Sequence, residues 1–312
     1  MRNVTIVGSY IVAQVMDADR IPAEGETVMG WNYHVTHGGK GSNMACCASR
    51  LGARSRFIGK VGRDAFGEGF LRLLGRELVG AEGVLYSDGL PTAVGFIVCG
   101  PGGSNIIVIG VGANGDFRPA DVSAQRHIIE ASDVILSPLE IPLETALAAA
   151  AMASARGIPA ILNPAPAADL RGQDLSAVFA LTPNEGEARV CLGLPAEDPA
   201  SAEELARALL DLGVENVILT LGPQGALWAS RRGLRRVPAL EVTVLDTVGA
   251  GDAFNAGLAV GLSELQPLQE AISLGVTAAS LSTRKRETID SYPYREEVDA
   301  RTPEVRARIE TC

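Results

Sequence analysis

Asp246-Thr-Val-Gly-Ala-Gly-Asp252-Ala-Phe-Asn255 lies between an apolar run, Val242 to Leu245, and a helical pattern, Ala253 to Leu262. This order places Gly249, Ala250 and Gly251 in a strand-to-helix turn. Small residues there let backbone N–H groups converge at a helix N-terminus, which makes a hole for an anion such as a transferring phosphoryl group. Asp252 falls in the first helical turn, where the helix dipole favours a carboxylate. It is within reach of whatever the hole holds. Taken alone, a glycine turn with an N-capping Asp is the better account of these four residues.

Outward from this stretch, short apolar runs alternate with helical patterns. The runs are Val4 to Val7, Val134 to Leu136, Ala160 to Leu162, Val178 to Leu181 and Val217 to Leu221. The helical patterns are Pro119 to Ala131, Leu143 to Arg156, Glu185 to Leu192 and Ala202 to Leu212, with Gly157, Gly193 and Gly213 at helix stops. Such alternation predicts an α/β fold built on a mainly parallel sheet, with ligands at the carboxyl ends of its strands. Two stretches break the rhythm. Val28 to Thr36 alternates like a strand, and Ala93 to Val98 with Asn105 to Ile109 flank Cys99-Gly-Pro-Gly-Gly-Ser104, a hairpin signal. Together they predict a smaller sheet beside the main one. The charged segment Arg295 to Glu310 reads as a solvated helix.

The 312 residues carry a formal net charge of −10, which argues against a nucleic-acid partner because phosphate backbones select Lys/Arg patches. The five cysteines (Cys46, Cys47, Cys99, Cys191, Cys312) are odd in number and lack CxxC spacing, so neither a disulfide framework nor a zinc site is expected. Cys46 and Cys47 read as small buried helix residues. MRNVTIVGS lacks a signal-peptide core, and the Ala-rich stretch around Ala146 to Ala155 is too short to span a membrane. The expectation is a cytoplasmic protein without a membrane partner.

A second glycine cluster, His37-Gly-Gly-Lys40-Gly-Ser-Asn43-Met-Ala45, opens a helix running to about Leu51. Its glycines permit close backbone approach to a ligand, and Lys40 and Asn43 can donate to sugar hydroxyls. A flexible turn with Ser42 as N-cap is the plainer account. No Walker A loop is present, since His34 and Arg54 occupy the places of its first glycine.

Jointly the two clusters resemble the GGKGxN and DTxGAGD signatures of the ribokinase (PfkB) family. Gly25-Glu-Thr27, Gly59-Lys-Val-Gly-Arg-Asp64, Gly112-Ala-Asn114, Leu139-Glu140, Leu162-Asn-Pro-Ala-Pro166, Thr182-Pro-Asn-Glu-Gly-Glu187 and Thr220-Leu-Gly222 match in order, across essentially the whole chain. The resemblance is closer to the ribokinase branch than to fructokinases or adenosine kinases. It implies a single three-layer α/β/α domain over residues 1–312, with a β lid formed from about 10–38 and 91–111. It implies ATP-dependent phosphorylation of a sugar hydroxyl, with Asp252 as base and Gly249, Ala250 and Gly251 as the anion hole. Gly39, Lys40, Asn43, Glu140 and Asp252 then contact the substrate. Asn184, Thr220, Leu221, Gly222 and Gly251 contact the nucleotide. Asn184 and Glu187 position Mg2+ through water, a reading compatible with their i,i+3 spacing and equally with helix capping. Lid pairing implies a homodimer.

The chain departs from the family twice. Ribokinases read GSxNxD after the first strand, where Asn and Asp hold sugar hydroxyls. Here Gly8-Ser-Tyr-Ile11-Val-Ala13 puts Ile11 and Ala13 in their places, which argues against ribose. Asp246 and the Val248 carbonyl match part of the family's K+ site. However, the following TRKGAxPS glycine is replaced by Arg286 or Glu287, depending on alignment. A cationic side chain there can stand in for the ion. Three rivals share the scaffold: a kinase of nucleosides or other hydroxymethyl compounds, a non-catalytic sugar-binding protein, and a dinucleotide enzyme using Gly110-Val-Gly-Ala-Asn-Gly115. In the last, Asp116 to Pro119 separate the loop from the next helix, and a lone GxGxxG is weak.

Overall fold

The computed structural model describes residues 2–311, so Cys312 lies outside the described residues. In chain order the first elements are β1 (Asn3–Val7), β2 (Ile11–Ala18), β3 (Gly30–Gly38), α1 (Lys40–Arg50), β4 (Arg54–Val61), α2 (Ala65–Arg76) and β5 (Gly80–Tyr86). Next come β6 (Ala93–Cys99), β7 (Asn105–Gly110), α3 (Pro119–Ala124), α4 (Arg126–Glu130), β8 (Val134–Pro138), α5 (Leu143–Ser154), β9 (Ala160–Asn163) and β10 (Ala180–Leu181). The rest are α6 (Glu185–Cys191), α7 (Ala202–Leu210), β11 (Asn216–Thr220), β12 (Ala226–Ser230), β13 (Gly233–Val237), α8 (Ala250–Ser263), α9 (Leu268–Ser282), α10 (Arg295–Arg306) and β14 (Glu310–Thr311).

A ten-stranded sheet has the order β14-β13-β12-β11-β10-β9-β8-β1-β4-β5. The strands from β11 to β5 are parallel, and β12 to β14 add an antiparallel edge. Central strands are buried on both faces, as parallel strands covered by helices must be. Val4 and Ile6 of β1 belong to one core with α1, α2, α8, α9 and α10, whereas Val7 joins the other core with α3 to α7. The result is the three-layer α/β/α architecture that the family resemblance implies, on the mainly parallel sheet expected from the alternation. Cys46 and Cys47 are buried in α1, and burial pushes the Cys46 thiol up to about 12.

A separate four-stranded sheet has the order β3-β2-β6-β7. Its register sets Ile11 opposite Gly38 and Ala93, and Gly95 opposite Ala13 and Ile109. Side chains alternate faces along a strand, so Ile11, Ala13 and Ile109 share one face, and Met16, Phe96 and Val108 share the other.

Several elements differ from the sequence reading. Val242 to Leu245 is not a strand: no neighbouring strand is available, and the Leu245 and Asp246 amides donate to the Thr283 carbonyl at the end of α9. The turn before α8 is therefore a loop-to-helix junction. Only Ala180–Leu181 of the Val178 run pairs in the sheet, and the Pro119 to Ala131 pattern divides at Gln125. The C-terminal helix is not wholly solvated; it buries Val298, Thr302 and Val305 while its charges point outward. β5 and the β12–β13 hairpin gave no clear sequence signal, because glycines and arginines interrupt their apolar patterns. No helix among the described residues is long and apolar enough to cross a membrane.

Candidate active site

The proposed site residues gather at the carboxyl edge of the large sheet. Loops after β1 and β8 bring Ser9 and Glu140, α1 brings Lys40 and Asn43, and α8 brings Asp252. Gly39 is the N-cap of α1 at φ 91°, a left-handed conformation that favours glycine. A Cβ there would stand 2.7 Å from the Ile11 nitrogen, so no other residue lets α1 start this close to β2. This seats Asn43, whose Nδ2 donates to Asp252 Oδ2 at 2.8 Å.

Gly249 caps the 14-residue α8 at φ 80°. A Cβ there would meet the Tyr292 hydroxyl at 2.8 Å. The Ala250 amide donates to the Thr247 carbonyl at 3.2 Å, so the open donors of this helix end are the amides of Gly251 and Asp252. Of the three residues expected to form an anion hole, Gly251 offers an open amide, as does Asp252 beside it, while Gly249 and Ala250 shape the turn. Asn255 braces the turn: its Nδ2 donates to the Gly251 carbonyl at 2.8 Å and its Oδ1 accepts from Thr182 Oγ1 at 2.6 Å.

Asp252 is 4% exposed. Burial pushes its carboxyl up to about 6; Lys40 and the Asn43 hydrogen bond pull it down, while Glu140 and Glu187 push it further up. Burial also opposes the Lys40 charge, but the carboxylates of Asp252, Glu140 and Glu187 prevail and hold its pKa above the usual value. A base accepts a proton only when ionised. The kcat/KM of a reaction based on Asp252 is therefore expected to plateau above about pH 6 and to fall tenfold per pH unit below it. Asn43→Ala removes a donor to the ionised form and should move this limb to higher pH; a limb that stays in place separates Asn43 from the base.

Glu140 is fixed from two sides. Its Oε2 accepts from Ser9 Oγ at 2.5 Å and from the Lys40 amide at 2.7 Å. Asn184 and Glu187 form a reciprocal capping box at α6, with both bonds at 2.8 Å. One Glu187 oxygen stays free, and burial raises its pKa. No group of three or more His, Cys, Asp or Glu side chains fit to hold a metal occurs among the described residues. A lone carboxylate with an adjacent amide suits a magnesium ion that keeps its waters. Thr220 lies beside Asn184 across a parallel bridge, its amide donating to the Pro183 carbonyl at 2.9 Å. Leu221 and Gly222 follow, Gly222 at φ 55°.

Asp246 accepts the Val248 amide at 3.0 Å and the Glu287 amide at 3.2 Å, tying the loop before α8 to the segment after α9. Of the two residues in place of the family glycine, Glu287 is the one with left-handed backbone, at φ 70°. The sequence reading missed Ser9, Tyr292 and the bracing by Asn255 and Thr182. Asn255 shares a helix face with Asp252 and had a detectable signal; Ser9 meets Glu140 and Tyr292 lies beside Gly249, neighbours far along the chain. Of Gly110 to Gly115, Gly110 ends β7 and Gly112 begins a 3-10 turn, Gly112–Asp116, in which the Asn114 side chain bonds both the amide and the carbonyl of Tyr10. That removes Asn114 from any dinucleotide site.

The profile of the pfkB family carbohydrate kinases matches residues 1–295. The chain is 35% identical over 297 residues to the ribokinase of Haemophilus influenzae, covering 95% of this chain and 97% of that protein. It is 33% identical over 297 residues to the deoxyribokinase of Salmonella typhi, covering 93% and 95%. The structure of Arabidopsis thaliana ribokinase complexed with ribose and ATP superposes with a TM-score of 0.86 at 28% identity, covering 97% of this chain and 99% of that one. A whole-chain match of this kind, on residues that converge around Asp252, identifies this chain as a member of the pfkB family of carbohydrate kinases.

Proposed function

We propose that the chain transfers the γ-phosphoryl group of ATP to a hydroxyl of a small sugar or sugar-like acceptor that presents an apolar edge or lacks a hydroxyl where Ile11 and Ala13 lie. The observation that carries this reading is a buried carboxylate, Asp252, in the first turn of a helix whose open amides lie beside it. The acceptor oxygen forms the new O–P bond as the bond between the β-phosphate and γ-phosphorus breaks. ADP leaves and the hydroxyl proton passes to Asp252. The Gly251 and Asp252 amides stabilise charge on the phosphoryl oxygens. Gly39, Lys40, Asn43 and Glu140 orient the acceptor; Asn184, Thr220, Leu221, Gly222 and Gly251 contact the nucleotide. Ribose and ATP in the Arabidopsis thaliana relative, and the name of the Salmonella typhi deoxyribokinase, support a pentose-sized acceptor. A coupled ADP-release screen over pentoses, deoxypentoses, ketohexoses, sugar acids and nucleosides tests the reading. No ADP release with any acceptor, in protein that binds ATP, leaves a non-catalytic binding protein.

Magnesium supplies charge neutralisation on the phosphates, and Asn184 and Glu187 would hold it through its waters. Glu187→Gln is expected to shift the magnesium titration to higher concentrations. An unchanged titration reduces the pair to helix capping. Asp246 and the Val248 carbonyl form the candidate monovalent-cation site, and KCl-against-NaCl activation tests it. The small sheet acts as a lid whose closure excludes water. Its outer face exposes Met16, Val35, Phe96, Ile106 and Val108, a patch that supports homodimer formation through the lid, in a cytoplasmic enzyme. Phe96→Glu with Val108→Glu is expected to shift sedimentation from dimer to monomer; a native monomer discards the dimer.

A further inference from the structure

One stretch runs against the acidic balance of the chain. Arg231-Arg-Gly-Leu-Arg-Arg236 places four arginines in six positions of a protein whose formal net charge is −10. Arg231 and Arg232 are exposed and form the two-residue turn between β12 and β13, closed by the Ser230–Gly233 pair. Such turns favour Asn, Asp and Gly, so the turn itself gives no reason for arginine. Arg235 follows on β13 opposite Trp228 of β12, with its guanidinium 5.6 Å from the centroid of the Trp228 ring. Arg236 lies on the other face of the strand and pairs with Glu203 of α7.

Arg231, Arg232 and Arg235 line a cavity of about 640 Å³, within the roughly 300–1,000 Å³ typical of small-molecule pockets. Phe179 and Trp228, both partly buried, supply aromatic wall, and the first turn of α9 closes another side. The cavity lies at the amino edge of the large sheet. Asn216, which accepts from Trp228 Nε1 at 3.0 Å, begins β11, whereas Thr220 ends that strand on the side of Asp252. α9 leads from the cavity to Thr283, whose carbonyl holds the loop before α8. Its 15 residues span about 22 Å at 1.5 Å each, so the cavity is separate from the site around Asp252.

Two carboxylates also line this cavity. Glu270 is already paired with Arg306 of α10. Glu215 therefore faces three guanidinium groups, an excess of two positive charges. Among the described residues none of the three arginines is ion-paired, and Arg235 donates to the neutral side chain of Gln269. A phosphate monoester carries about −1.5 to −2 charges at pH 7, which matches this excess. Guanidinium forks also fit its oxygens in pairs.

We infer that this cavity is a second ligand site, which takes a small molecule bearing a phosphate monoester. Arg231, Arg232 and Arg235 hold the phosphate, and the rest of the ligand lies against Trp228 and Phe179. Two sources share this chemistry, a phosphorylated sugar and a nucleoside monophosphate. The site does not depend on the kinase reading, since none of its residues belongs to the site around Asp252.

The test uses the full chain with Trp31→Phe, which leaves Trp228 as its single tryptophan. Its fluorescence is followed during titration with ribose 5-phosphate and with adenosine 5′-monophosphate, and with ribose and adenosine as uncharged controls. The expected result is a saturable change with at least one phosphate and none with the controls; the phosphate that saturates at lower concentration names the source. Arg231→Ser with Arg232→Ser, at exposed turn positions, should weaken this binding at least about tenfold, the loss expected for one charge-assisted hydrogen bond. Calorimetry of the parent with the same two phosphates should show binding that the double variant weakens equally. Binding that survives the double variant unchanged comes from elsewhere in the molecule and overturns the inference. So does an equal response to ribose or adenosine, or the absence of both a fluorescence change and calorimetric binding.

Discussion

Asp252→Asn is expected to lower kcat for the true acceptor by about 10²–10⁴-fold, the usual contribution of a positioned general base, with ATP affinity little changed. The substitution keeps the side chain's shape and leaves the backbone amides of Gly251 and Asp252 in place. The helix end that binds phosphoryl oxygens therefore survives, and only the proton acceptor is lost. The acid limb near pH 6 should vanish with it, because that limb is the titration of this carboxyl. Asn in place of Asp also relieves the cost of a buried carboxylate, so the variant should melt no lower than the parent. Near-normal turnover of the true acceptor would remove Asp252 from the role of base.

The double change Ile11→Asn with Ala13→Asp should raise kcat/KM for ribose by roughly two to four decades. Each hydrogen bond involving a charged or strongly polar partner contributes up to about 1.5–3 kcal/mol, and about 1.4 kcal/mol is a factor of ten. Ile11 lines the acceptor cavity, and Ala13 follows two residues on along β2, on the same face. Both new side chains would therefore point toward the acceptor. Ile11 is only 6% exposed, so Asn there costs stability in the absence of sugar, and ribose should raise the melting temperature of the variant more than that of the parent. A parent enzyme already efficient on ribose would show that other groups hold those hydroxyls, and the apolar-edge reading would be wrong.

The alternation of apolar runs with helical patterns was enough to predict a parallel α/β sheet, because parallel strands must be joined by crossovers and be apolar on both faces. Its errors were local. Val242 to Leu245 has the composition of a strand, yet strands exist only where a neighbour accepts their hydrogen bonds. Here the nearest acceptor is the Thr283 carbonyl at a helix end. Such pairing is a property of the assembled chain, and no window of sequence contains it.

The site divides along the same line. Sequence alone marked where glycine is needed and which side chains are candidates for the chemistry, in the clusters at Gly38 to Asn43 and Gly249 to Asp252, and it showed apolar residues at Ile11 and Ala13. Local spacing encodes helix starts, caps and turns, so these features are legible in short stretches. Only the tertiary structure decided how the clusters meet. Asn43 reaches Asp252 across 209 residues, and Ser9 locks Glu140 across 131. It also set the carboxyl of Asp252 near 6, since burial depends on what packs around the group and that is fixed only when α1, α8 and the sheet close together. The inner face of the small sheet is of the same kind: Ala13, Gly95 and Ile109 sit on three strands, and strand register alone makes them neighbours.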